Sequence, residues 1–173
     1  DGSGARGDAS KPFLTVKAGL TACQSGDILY IGPGTYTMGA GATPVWPAGV
    51  DKLTIVGAGS DGSGVGGTVL LNTANDGSHI FAPPTTADYV EIRHLHARVT
   101  AGSGRVLYCD GTGASGTFLG GAALTGGLIL RDVVFAHSTL SNAMLLKFVG
   151  SATIFDTTII GLIEILTSNV VVN

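Results

Sequence analysis

The sequence predicts an all-β chain, wound as a single-stranded parallel β-helix behind a short N-terminal capping α-helix. Three observations predict it. Glycine is abundant, 28 of 173 residues, where an average soluble domain has roughly 7%. Charged residues are only 12% of the chain, about half the usual share of roughly 25%. Most tellingly, one pattern (apolar, any, apolar, any, then small or polar) recurs along the chain. Many glycines among Val, Ile, Leu and Thr favour short strands joined by tight corners over a helical protein.

Taken in order, residues 1–10 read as a flexible polar leader. They include Arg6-Gly7-Asp8, a tripeptide too short to carry a recognition signal by itself. Residues 11–26 read as the capping helix. Ser10 is placed to act as N-cap, Pro12 suits the first turn, and Phe13, Val16, Leu20 and Cys23 fall on one helical face. Gly26 stands where a left-handed C-terminal cap is expected. Strands Ile28–Ile31 and Thr35–Thr37 follow around a Gly32-Pro33-Gly34 corner.

The recurring pattern then appears at Leu53–Ala58, Val90–Leu95, Leu128–Val133 and Ala152–Thr157, with Val170–Asn173 as the start of a fifth copy. Its inward residues would be Ile55, Ile92, Leu130 and Ile154, which are 37, 38 and 24 residues apart. Self-similar strands at uneven spacing suit stacked coils whose loops swell at the corners. Thr68–Asn72, His79–Phe81, Arg105–Tyr108 and Met144–Val149 supply the other walls. Asp61-Gly62, Asp76-Gly77 and Asp110-Gly111 mark turns, and Gly57–Gly67 and Gly111–Gly127 read as long loops. At roughly 25 residues per coil, residues 27–173 hold about five to six coils. The run from Val149 to Val172 is apolar, but Ser151, Asp156 and Glu164 interrupt it, so buried strands are expected there and no membrane insertion. Ile159–Asn173 has no polar cap of its own. More chain, another domain or another subunit is expected to cover it.

The opening segment carries further information. Pro12, Phe13, Thr15, Val16, Gly19, Leu20, Cys23, Gly26, Asp27, Leu29, Ile31, Pro33, Gly34 and Tyr36 match a pattern common in one family. On these residues the chain resembles the N-terminal cap and first coil of the pectin-lyase-like right-handed parallel β-helix superfamily. The resemblance implies a right-handed coil and says little about chemistry, since the superfamily includes lyases, hydrolases, epimerases, phage tailspikes and virion proteins. In character the chain is most similar to phage tailspike, tail fibre or capsid decoration domains.

Few residues suggest chemistry. The second position after each inward residue gives a polar column of Gly57, His94, Asp132 and Asp156, with Asn173 as its fifth member. Two stacked aspartates and a histidine could bind calcium or act as acid and base. Equally, such residues can bond the turn backbone of neighbouring coils. Arg93-His94-Leu95-His96-Ala97-Arg98 is the densest ionisable run. Arg93, His94, Asp132 and Asp156 are therefore the catalytic candidates, the alternative being a basic patch at a subunit interface. Only two glutamates, Glu91 and Glu164, accompany them, and His94 and His96 lack partners at zinc-type spacing. No metal or other cofactor is expected beyond calcium. Tyr89, Tyr108 and Trp46 are the candidates for stacking on sugars, with Tyr30 and Tyr36 as further aromatics. The glycine run Gly57–Gly64 follows a strand, but no helix pattern and no P-loop lysine follow it, so it is no phosphate loop.

A net charge of −3 gives no electrostatic footprint for nucleic acid. Cys23 and Cys109 stand far apart outside any ligand spacing. No apolar signal segment opens the sequence. So little surface charge suggests that other subunits cover part of the surface. Two functions from different classes fit. One is a structural virion protein, extracellular or on the virion surface, assembling as a homotrimer with other virion proteins and contacting polysaccharide. The other is a polysaccharide lyase or glycoside hydrolase.

Overall fold

The computed structural model describes residues 4–38, 49–75, 77–83, 87–109, 127–138, 142–147, 152–166 and 170–172. Among them one helix, α1 (Val16–Ala22), precedes the strands. These are β1 (Asp27–Tyr30), β2 (Gly34–Met38), β3 (Lys52–Val56), β4 (Thr68–Asn72), β5 (Tyr89–Val99), β6 (Leu107–Cys109), β7 (Gly127–His137), β8 (Asn142–Lys147), β9 (Ala152–Phe155), β10 (Thr158–Ile160), β11 (Leu162–Leu166) and β12 (Val170–Val172). The chain is all-β, and every strand pairing among the described residues is parallel.

The pairings form three columns. The first runs β1-β3-β5-β7-β9-β12. In the second, β2 pairs β4, β4 pairs the later half of β5, that half pairs β7, and β7 pairs β10. The third is β6-β8-β11, extended by a bridge from Phe81 to Leu107. From β3 onward the chain visits the columns in the same order each time, and β5 and β7 pass from first to second without a break.

Register fixes what lies inside. Ile55 pairs Ile92, Ile92 pairs Leu130 and Leu130 pairs Ile154. The first three are fully buried and Ile154 is 3% exposed. The column extends to Leu29 below and to Val172 in register above. A second inward ladder runs Tyr36, Leu70, Ala97, Phe135, Ile159. Phe81, Leu107 and Met144 close the third side. Full burial of each large side chain contributes about 1.5–3 kcal/mol. The expected extra strands are β4, the Phe81 bridge, β6 and β8.

The cap differs from its expected limits. α1 begins at Val16, because Thr15 is extended and its Oγ1 accepts the Ala18 N–H at 3.1 Å. Ser10 is therefore not the N-cap, and Pro12 and Phe13 precede the helix. Val16 and Leu20 plug the core and Cys23 packs partly against it. The helix ends on extended Cys23, and Gly26 takes its left-handed φ of +88° in the turn beyond. From Gly4 onward the leader lies against Phe13 and Asp27. Arg6 grips Asp27 through Nε and Nη2, both at 2.6 Å. Asp27 also accepts the Gln24 N–H at 2.8 Å, joining leader, helix turn and β1. The Arg6 fork, with the Gln24 bond, holds the Asp27 carboxyl below its ordinary value.

Towards the end of the chain the expected strands form, but burial is incomplete: Ile160, Leu162 and Ile163 are 48%, 57% and 39% exposed. No helix among the described residues is long and apolar enough to cross a membrane. Asp76, Asp110-Gly111, most of the Gly111–Gly127 loop and Asn173 lie outside the described residues.

If the Ile55–Ile92–Leu130–Ile154 ladder holds the columns together, Ile92→Ala lowers unfolding free energy by about 2–5 kcal/mol. Replacing Ile129, which points outward one residue earlier on β7 than Leu130, costs under about 1 kcal/mol. Urea unfolding midpoints of the two variants check this, and equal costs would contradict the inward assignment.

Candidate functional site at the left-handed corner

The polar column exists, and its backbone explains it. His94, Asp132 and Asp156 have φ of 55°, 48° and 45°, a left-handed bend costing an L-residue roughly 1–2 kcal/mol. Each bend turns the chain from the first column to the second. Asp and His are among the non-glycine residues that tolerate it best. Gly57 fills the corner below, where any Cβ would overlap the His94 carbonyl oxygen.

Hydrogen bonds at these corners tie separate passes of the chain together. His94 Nδ1 lies 2.8 Å from Asp132 Oδ2, and the Ser60 hydroxyl donates to Asp132 Oδ1 at 2.6 Å. Burial pushes the Asp132 carboxyl up, but the hydrogen bonds from His94 and Ser60 outweigh it and hold the group below its ordinary value. Serine, aspartate and histidine thus meet with the carboxylate in the middle. That order does not activate a nucleophile, because the base must contact the serine. It does orient an imidazole: His94 Nδ1 is fixed on Asp132, while Nε2 makes no hydrogen bond among the described residues.

Beside the corner, β5 points Tyr89, Glu91 and Arg93 outward. The Tyr89 hydroxyl donates to Glu91 Oε2 at 3.0 Å, and Arg93 Nε lies 3.0 Å from Glu91 Oε1. Burial, then the bond to Glu91, raises the Tyr89 phenol. Arg131 pairs in register with Arg93 and sets its guanidinium 5.7 Å over the Phe155 ring. Arg98 lies exposed on the far side of the bend.

The structure therefore gathers Arg93, His94 and Asp132, with Asp156 at the next corner along. Tyr89 lies near, but Tyr108 belongs to the third column. There it stacks on His79 at 4.2 Å and 10°, with the Arg105 guanidinium 5.2 Å from its ring. Tyr89 and Tyr108 thus form no common sugar platform, and Trp46 lies outside the described residues. Both Asp132 oxygens accept hydrogen bonds, and no group of three His, Cys, Asp or Glu gathers among the described residues. Sequence reasoning missed Ser60, which stands 72 residues from its partner in a glycine run. It also missed Glu91 as the bridge between Tyr89 and Arg93, although i, i+2, i+4 spacing on a strand was the available signal. No family model, curated protein or solved structure matches the chain.

Two outcomes follow. Asp132→Ala loses two hydrogen bonds and leaves a β-carbon in a left-handed bend, costing about 2–3 kcal/mol. Asp132→Gly recovers the bend and costs about 1 kcal/mol less; denaturant titration of both variants ranks them. The second concerns His79, which burial and then the Arg105 charge lower to about 4. The unfolded chain, with histidine near 6.5, takes up the proton first as pH falls. Stability is full above pH 6.5, falls between pH 6.5 and 4, and levels off below. The loss is about 1–2 kcal/mol after discounting for partial exposure. Urea midpoints across that window read it, and His79→Gln flattens this part of the profile.

Proposed function

We propose that the three columns are walls of a right-handed parallel β-helix and that the chain is a structural virion protein, a tail spike, fibre or capsid decoration component. Parallel neighbours demand crossover connections, and about 98% of such connections are right-handed. The observation that carries the structural role is the use of the corner groups. Asp132 spends both oxygens on Ser60 and His94, so the most reactive-looking residues bind one pass of the chain to another. The scarcity of charge (12%) and the exposed Tyr30, Ile28, Leu162 and Val65 support assembly with further copies, which the resemblance puts at three. Host surface glycans are the other partner of such a particle protein. Light scattering at micromolar concentration tests the assembly: a mass three times the 17.3 kDa of one chain supports it, and a monomer refutes it.

One observation favours polysaccharide cleavage as a second reading. The Asp132–His94 pair leaves Nε2 without a hydrogen bond among the described residues, placed to move a proton as a lyase or glycosidase would need. Incubation with a panel of acidic and neutral polysaccharides decides between them. Cleavage that falls at least 100-fold in His94→Ala supports the enzyme; unshortened chains leave the structural role.

A further inference from the structure

The glycine run from Gly57 to Gly67 crosses the outer face of the second column. Its ends are fastened to the sheet. Gly57 N–H donates to Arg93 O, Thr68 N–H to Gly59 O and Gly34 N–H to Gly67 O, each at 2.9 Å. The Ala58 N–H donates to Thr68 Oγ1 at 2.8 Å. The middle is fastened by one side chain, Ser60, on Asp132. Among the described residues the hydrogen bonds of 61–66 are internal: Asp61 accepts from Ser63, and Ser63 from Val65. The tip therefore rests on packing alone.

Two glycines make that packing close. A Cβ at Gly62 would lie 2.5 Å from His96 Nδ1, and one at Gly64 would lie 2.5 Å from Thr35 Oγ1. Both residues also have positive φ, +73° and +70°. Beneath the run, Val69 is 3% exposed although it points outward. His96 beside it has a buried Nε2 without a hydrogen-bond partner. A charged ring tolerates this position poorly, since an imidazolium must carry an N–H at the buried Nε2 with nothing to receive it.

We propose that residues 58–67 form a flap that closes over neutral His96 and lifts when His96 is protonated, uncovering His96 and Val69. The groups around the ring support this. Asp61 on the flap favours the imidazolium and Arg98 on β5 opposes it, while Val69 on β4, Val134 on β7 and Thr35 on β2 are uncharged. Burial first, then Arg98, lowers the His96 value below that of free histidine, Asp61 opposing. Closed and open states therefore differ in proton affinity, and the open state gains as pH falls.

Hydrogen exchange on the full chain tests it, read at the Thr68 and Gly34 amides, whose acceptors are flap carbonyls. After correction for intrinsic rates, their opening constant rises between pH 7.5 and 5.5 by up to about tenfold, the ceiling for an uncovered histidine near its ordinary value. With the measurement made in the His79→Gln background, which removes that ring's own acid effect, the Tyr108 amide, bonded to Phe81 O, reports acid effects elsewhere and stays unchanged. His96→Gln removes the pH dependence, whereas Ser60→Ala raises opening at every pH and keeps the slope. Equal exchange at both pH values, a rise shared by Tyr108, or a rise that persists in His96→Gln overturns the proposal.

Discussion

The structure depends on apolar side chains stacking at the spacing of parallel strands. Ile55, Ile92, Leu130 and Ile154 come from passes of very different length, yet each lies on its neighbour in register. No single pass could bury such a residue, because strands one layer apart supply most of its contacts. The same requirement explains the cap. α1 lays Val16 and Leu20 over the first layer, and Arg6 on Asp27 fastens the leader across it.

The corner is the complementary constraint. Every pass must turn sharply between first and second columns, and the left-handed bend that does so is costly outside glycine. The chain meets that cost with residues that tolerate the bend and bond across layers. His94 and Asp132 do both at once, and Ser60 adds a bond from an earlier pass. Asn72 and His137 play the related part further along each pass. Both are buried, Asn72 accepting from the Ala74 N–H and donating to Ser78 O, His137 Nε2 donating to Gly104 O.

What was legible in the sequence follows from periodicity. Inward residues announced themselves because alternation on a strand is strict, and the corner column followed by counting onward from them. Helix limits were less legible: Ser10 and Thr15 are both able caps, and only the packing of Val16 and Leu20 selects Thr15. Burial of the last strands was overestimated, since hydrophobicity alone does not say which faces find a cover. The flap was least legible. A glycine run reads as a loop, and nothing in its spacing says that Ser60 reaches Asp132 or that Gly62 lies on His96.

The central claim is the order of the stack, and methyl NOE contacts in the intact protein test it most directly. The account predicts cross-peaks from Ile55 to Ile92, Ile92 to Leu130 and Leu130 to Ile154. It predicts none from Ile55 to Leu130, which lie two layers, about 9.6 Å, apart at the strand spacing. Absence of the neighbour contacts, or a direct Ile55–Leu130 contact, would contradict it.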